Sequence, residues 1–319
     1  MGGKAFKDDV VRINSKEEYQ NLFNKQKEMF NHITNDLYLP RQLTSKTSFG
    51  DLDIILSKDY IDQVAEKLES LDYPLLITRN EITKEITYNV ISYLYDNKYQ
   101  VDLIFIDNSS INYAVDYLSF GDQGNISGML LRKYSIKNSF TGLYFIYRQD
   151  NGNYKRDILI FDEYRDYLKL LDLDVQKFDE GFNTQEEVFE WITSSSFFES
   201  NIYELKKLNH KRRARDSKRE YYTNFLKYLS DKDLPYESNK FLKLDMEDFK
   251  ERYVECDLEY EELKQFKNKF NGFLVTNLRK LEGEPLGKFM NNFRKEYSKK
   301  DILNFTDEEL EQKILNYNF

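Results

Sequence analysis

Apolar residues recur at helical spacing through residues 16–36, KEEYQNLFNKQKEMFNHITND, directly after Ser15, whose hydroxyl suits an N-cap. A polar loop, RQLTSKTSFG, follows. The pattern then switches: in SFGDLDIILS, residues 48–57, β-favouring apolar residues follow two aspartates, which predicts a strand over Asp51–Ser57. KDYIDQVAEKLESL returns to the helical period. PLLITRNEITKEITYNVISYLYDNKYQVDLIFID reads as successive strands with turns at Arg79–Asn80 and Asn97–Lys98. Helices are expected from near Ser110 to Phe120 and from near Asp122 to Tyr134. GLYFIYRQDNGNYKRDILIF reads as a hairpin turning at Asn151–Gly152, and TQEEVFEWITSS as a short helix. From residue 198 the pattern becomes one of long, charged helices. The expected fold class is α+β: a mixed sheet with flanking helices over residues 1–197, then an all-helical domain over residues 198–319.

The 319 residues suffice for roughly two or three ordinary domains. No apolar run approaches the roughly 18 residues of a membrane span, and MGGKAFKDDVVRI lacks the apolar core of a signal peptide. One cysteine, Cys256, and two histidines, His32 and His210, exclude an internal disulfide framework and a Cys/His zinc set. A soluble, intracellular, cytoplasmic protein without a membrane partner is expected. The net charge of −9 gives no whole-molecule attraction to nucleic acid. The charge is uneven, however: KKLNHKRRARDSKR, residues 206–219, holds eight Lys/Arg against one Asp. This run reads either as a solvated helix face or, given a nucleic-acid substrate, as a phosphate-binding stripe. Its candidate contacts are Lys206, Lys207, Lys211, Arg212, Arg213 and Arg215.

Residues i and i+2 of a strand share a face, so Asp51 and Asp53 would project together. A third carboxylate, Asp102, stands in YQVDLIFID, another apolar strand. Neighbouring strands lie about 4.8 Å apart. If these two pair, three carboxylates converge within reach of one or two divalent cations. Hard oxygen donors with open positions suit Mg²⁺ or Mn²⁺, as in two-metal phosphoryl and nucleotidyl transfer. The D-x-D pattern also occurs at Asp172/Asp174 and Asp231/Asp233, but without the preceding glycine, the following apolar strand or a later partner aspartate.

GDLDIIL followed by VDLIFID resembles the polymerase β-like nucleotidyltransferase superfamily. INYAVDYLSFGDQGNISGMLLRKYSIKNSFTGLYF, then a hairpin, then TQEEVFEWI, is similar to the palm and thumb of family X DNA polymerases, over residues 44–195. The opening GGKAF…RI is similar to a group of phage nucleotidyltransferases. The resemblance implies that Asp51 and Asp53 bridge two Mg²⁺ ions. It implies that Asp102 binds the catalytic ion and accepts the proton of an attacking 3′-hydroxyl. Tyr117 and Ser119 fall at the family's sugar-binding turn, and Asn125 at an Asn that reads the incoming base or its minor-groove edge.

The chain also departs from the family. Its turn reads YLSFG, with one aromatic lost and the glycine shifted. TSKTS replaces the Gly-Ser that cradles the triphosphate, which leaves Ser45 and Lys46, with Gly50, as the substitutes. Met129 replaces a thumb Arg that lies against the template, and the family's lyase and hairpin DNA-binding modules have no counterpart. The backbone of Gly2 and Gly3 is either a free terminus or a further triphosphate contact. GEPLGKFMNNFRKEY and TDEELEQKILNY loosely resemble the tail of tRNA CCA-adding enzymes. The implied activity is transfer of a nucleotide from a nucleoside triphosphate to a DNA or RNA 3′ end, with release of pyrophosphate. CCA-type addition to tRNA, nucleotidylation of another acceptor, and an inactive nucleic-acid-binding scaffold stay open. Trp191 is expected in the core.

Overall fold

A computed structural model describes residues 5–6, 10–79, 86, 89–149, 154–242 and 250–318. Gly2, Gly3, Asn80 and the expected hairpin turn at Asn151–Gly152 lie outside the described residues. The fold is α+β, about 53% helix and 16% strand. Helix α1 (Lys16–Phe30) starts where Ser15 Oγ accepts from Glu18 N at 3.0 Å, and it buries Tyr19, Leu22, Phe23 and Phe30. Strand β1 (Leu52–Ser57) leads through a 3₁₀ turn into α2 (Ile61–Glu69). Strands β2 (Leu75–Leu76), β3 (Val90–Tyr95) and β4 (Tyr99–Ile106) complete a sheet of order β1-β4-β3-β2. β1 and β4 are parallel, and the other pairs are antiparallel. The β3–β4 turn has Asp96 and Asn97 at φ of 51° and 53°, in the left-handed region that Asp and Asn tolerate better than most residues.

The two faces of β1 explain its nearly continuous apolar run. Leu52, Ile54 and Leu56, with Val101, Leu103 and Phe105 of β4, share a core with α1 and α2. Ile55 and Ile106 pack instead with Ile111 and Ala114 of α3 (Ile111–Leu118). Burying each such Leu or Ile contributes roughly 1.5–3 kcal/mol, and a strand covered on both faces reads as unbroken apolar sequence. β1 lies at the end of the sheet order, but its outer side is occupied. Tyr38 N and Ile55 O, and Ile55 N and Tyr38 O, pair at 2.9 and 2.8 Å, and Ile13 bridges Phe49 just upstream.

The expected 122–134 helix forms as α4 (Gln123–Ser127), which continues as 3₁₀ helix through Tyr134. β5 (Ile136–Ser139), β6 (Gly142–Gln149) and β7 (Tyr154–Phe161) make a second sheet in that order. Helices α5 (Tyr164–Leu170), α6 (Val175–Glu180), α7 (Gln185–Thr193), α8 (His210–Asp216) and α9 (Glu220–Ser230) follow. Trp191 is in the core, its Nε1 donating to Asp174 O at 2.9 Å. The first extra D-x-D pair has structural uses: Asp174 caps α6 through Lys177 N, and Asp172 pairs with Lys240.

The chain divides into two compact units, residues 1–146 with 159–244, and residues 147–158 with 245–319. The expected boundary after residue 197 therefore falls inside the first unit. Phe198, Tyr203, Tyr221, Tyr222 and Phe225 share one buried cluster with Tyr164, Phe178 and Trp191, so this helical segment has no core of its own. In the second unit, α10 (Lys250–Lys269), α11 (Gly272–Arg279), α12 (Gly283–Glu296), α13 (Lys299–Asn304) and α14 (Asp307–Asn316) enclose Phe270, Val275, Phe289, Phe293, Ile302 and Ile314. The strand segment of that unit is tied to α10, Tyr154 Oη and Arg156 Nε each donating to Glu259 at 2.9 Å. Among the described residues, no helix is long and apolar enough to cross a membrane.

Candidate metal centre

Strand register sets the site. Asp53 pairs directly with Asp102 across β1 and β4, and Asp51 stands one residue ahead of β1, two before Asp53. One carboxylate oxygen from each of Asp51, Asp53 and Asp102 lies within 4.8 Å of the others. The pleat puts Asp53 on the same side as Ile55, the side that faces α3. All three carboxylates are half-buried.

Such a cluster is electrostatically expensive without a cation. Burial, and then the charges of Asp51 and Asp102, push the Asp53 carboxyl well above its ordinary value, while Lys46 pulls it down. Burial also raises Asp102, against hydrogen bonds with Ser92, Gln100 and Asp51 that lower it. Gln100 Nε2 donates to both oxygens of Asp102, at 3.1 and 2.9 Å, and Gln100 Oε1 accepts from Ala5 N at 3.1 Å. Lys46 feels the charges of Asp51 and Asp53; its Nζ lies 4.7 Å from the centre of the Phe49 ring and donates to Gln42 Oε1 at 2.8 Å. Lys46 thus offsets part of the negative charge of the cluster. Three anionic oxygen donors on a rigid parallel pair fit a hard divalent cation.

The raised Asp53 gives a pH test. Unfolded Asp53 titrates near 3.8 and the folded one higher, so between those values the folded protein binds the extra proton and stability falls as pH rises. In EDTA, the melting temperature of the wild type should therefore fall relative to that of Asp53→Asn as pH is raised from the ordinary carboxylate value. A difference between the two proteins that stays flat with pH would rule out a strained Asp53.

The structure brings Lys46 to the carboxylates, with Gly50 immediately ahead of Asp51, but turns Ser45 elsewhere. Ser45 Oγ donates to Asn183 O at 2.6 Å, which ties this loop to the segment before α7. Ser119 is fully buried, its hydroxyl donating to Val115 O at 2.7 Å and accepting from Arg41 N at 2.8 Å. It anchors the 40–50 loop rather than facing a cleft.

Tyr117 and Asn125 form a second neighbourhood, together with the basic run. Tyr117 packs on Gly124, where a Cβ would lie 2.5 Å from Tyr117 O. Burial and Asp122 raise its hydroxyl to about 12, against Arg215, Arg212 and Arg219. Asn125 Oδ1 accepts long hydrogen bonds, 3.5 Å each, from Arg212 and Arg215. Arg212 is not part of an outward stripe. It is buried, with Nε 3.0 Å from Asp216 Oδ2, because Asp216 sits one helical turn on and accepts from Arg215 Nε as well, at 2.7 Å. Arg219 pairs with Asp122, Lys206 with Glu204, and Lys207 lies over the Tyr236 ring. Lys211, Arg213 and Lys218 are exposed.

Reasoning from sequence missed Gln100, Ser92, Tyr19 and Gln42 around the carboxylates. Gln100 was within reach of it, since i−2 from Asp102 puts both on one face. Ser92 required the β3–β4 register, and Tyr19 and Gln42 required the tertiary fold. No protein-family model matches the chain, and no curated protein matches it.

Proposed function

We propose that this protein is a metal-dependent nucleotidyltransferase that joins a nucleotide from a nucleoside triphosphate to a nucleic-acid 3′ end and releases pyrophosphate. The observation that carries the reading is the convergence of Asp51, Asp53 and Asp102 on two paired parallel strands. That arrangement is the one implied by the resemblance to the polymerase β-like superfamily. Asp51, Asp53 and Asp102 would hold Mg²⁺, and the ion, when bound, supplies positive charge to the phosphoryl oxygens. Gln100 fixes the orientation of the Asp102 carboxylate through both oxygens. Asp102 would then accept the hydroxyl proton, its proton affinity increased by burial. Lys46 adds a cation beside Asp51 and Asp53 where a triphosphate would lie.

Purified protein is incubated with labelled primer, primed template and total tRNA, each nucleotide being supplied separately, and pyrophosphate is measured with Mg²⁺ and with EDTA. Metal-dependent pyrophosphate with extension of one acceptor supports the reading; none with any acceptor refutes it, and binding without turnover leaves the scaffold.

The exposed cations offer a separate check. Lys211→Gln, Arg213→Gln and Lys218→Gln together should flatten the salt dependence of nucleic-acid binding, by roughly 0.7–0.9 in log–log slope for each phosphate that these cations neutralise in the wild type. Turnover at saturating substrate should change less. An unaltered slope returns these residues to a solvated face.

A further inference from the structure

A cavity of about 380 Å³ lies in the first unit between residues 129–133 and residues 199–212, a size within the range of small-molecule sites. It shares no lining residue with the carboxylate centre. Arg132, Lys133, Lys207 and Arg212 line it, against Glu199 as its single acid. Lys133 is paired with Glu199 at 3.1 Å, and Glu199 also accepts from Ser238 N, so the acid is satisfied; Arg212 is paired with Asp216, and Arg132 and Lys207 carry the remaining positive charge of the lining. Arg212 is only 7% exposed. Its Nε goes to Asp216 and its Nη2 to Asn125, but its Nη1 is buried without a hydrogen-bond partner. An unsatisfied donor on a buried cation is costly in a folded chain, and Arg212 belongs to the cavity wall. The remaining wall is apolar, formed by Met129, Ile202 and Leu208. Cations alone would suit any small anion. The apolar wall favours an anion that carries a flat or apolar body.

We propose that this cavity binds one nucleotide unit, its phosphate held by Arg132, Lys207 and Arg212 and its nucleoside laid over Met129, Ile202 and Leu208. The unit is either a free mononucleotide or one link of a strand. AMP and a short single-stranded oligonucleotide are titrated onto the full chain in EDTA. Three carboxylates without a cation do not hold a phosphate, so this result is independent of the proposed transferase activity. Arg132 and Lys207 are exposed, and changing both to Gln should leave the melting temperature unchanged. The double variant should bind AMP roughly tenfold more weakly or worse, as expected when charge-assisted hydrogen bonds are removed. Lys211→Gln with Arg213→Gln should weaken the oligonucleotide alone. If only the oligonucleotide responds to the Arg132/Lys207 pair, the cavity takes a link of a strand; if AMP responds too, it takes the free nucleotide. Affinity for both probes unchanged by that pair overturns the proposal. Displacement of AMP by equimolar inorganic phosphate overturns the nucleoside contact.

Discussion

Asp102→Asn should reduce nucleotide incorporation by orders of magnitude while leaving the metal-free protein as stable as the wild type, or slightly more so. The substitution is nearly isosteric, and the β1–β4 pairing through residue 102 is a backbone matter. Asn removes an anion from a cluster whose oxygens lie within 4.8 Å of each other, so mutual repulsion falls. The cost is local: Gln100 Nε2, which donates to both Asp102 oxygens, keeps one acceptor. The proposed activity would lose both a proposed metal ligand and the proposed proton acceptor, and general-base catalysis alone typically contributes about 10²–10⁴-fold. Mg²⁺ should raise the wild-type melting temperature, because binding only to the folded state stabilises it, and should raise that of the variant less. Melting in EDTA and in Mg²⁺, beside primer extension, separates chemistry from folding. A variant that melts early yet incorporates nucleotide at near wild-type rate would remove Asp102 from the mechanism.

Asp216→Asn should cost roughly 3–5 kcal/mol, the range for breaking one side of a buried ion pair. Asp216 is 0% exposed and accepts from Arg212 and Arg215. Burial works to raise its pKa, but the hydrogen bonds and charges of the two arginines outweigh burial and hold it below 3.8. Its contribution is therefore fully present above the ordinary carboxylate value and is lost as pH falls through the lower folded value. The urea midpoint of the variant should lie far below that of the wild type at neutral pH, and the gap should narrow in acid. A loss of less than about 1 kcal/mol, typical of exposed pairs, would show that α8 is not pinned by this ion pair.

What could be read in advance was local. The Ser15 cap, the β1 strand and the shared face of Asp51 and Asp53 follow from nearest-neighbour rules, and all appear in the fold. The meeting of Asp102 with Asp53 required a pairing, which the apolar strands suggested and the parallel register supplies. The basic run shows where such reading ends. Arg212 and Asp216 are spaced i, i+4, a visible sign of a pair, yet charge counting treated Arg212 as a solvent-facing cation. Its tertiary partner, Asn125, lies 87 positions away. The domain boundary failed similarly, since helical composition at residues 198–242 says nothing about which core its aromatic side chains enter.

The pairing of Tyr38 along β1 has a consequence for how copies of this chain meet one another. A strand at the end of a sheet presents a row of unpaired amides and carbonyls, which invites strands from other molecules. An apolar run such as LDIIL on an uncovered rim would be a seed for intermolecular zippering. Here the two hydrogen bonds between Tyr38 and Ile55, and the bridge of Ile13 to Phe49, occupy that rim. The acidic cluster can thus stand on the outermost strand and its neighbour without that margin becoming adhesive.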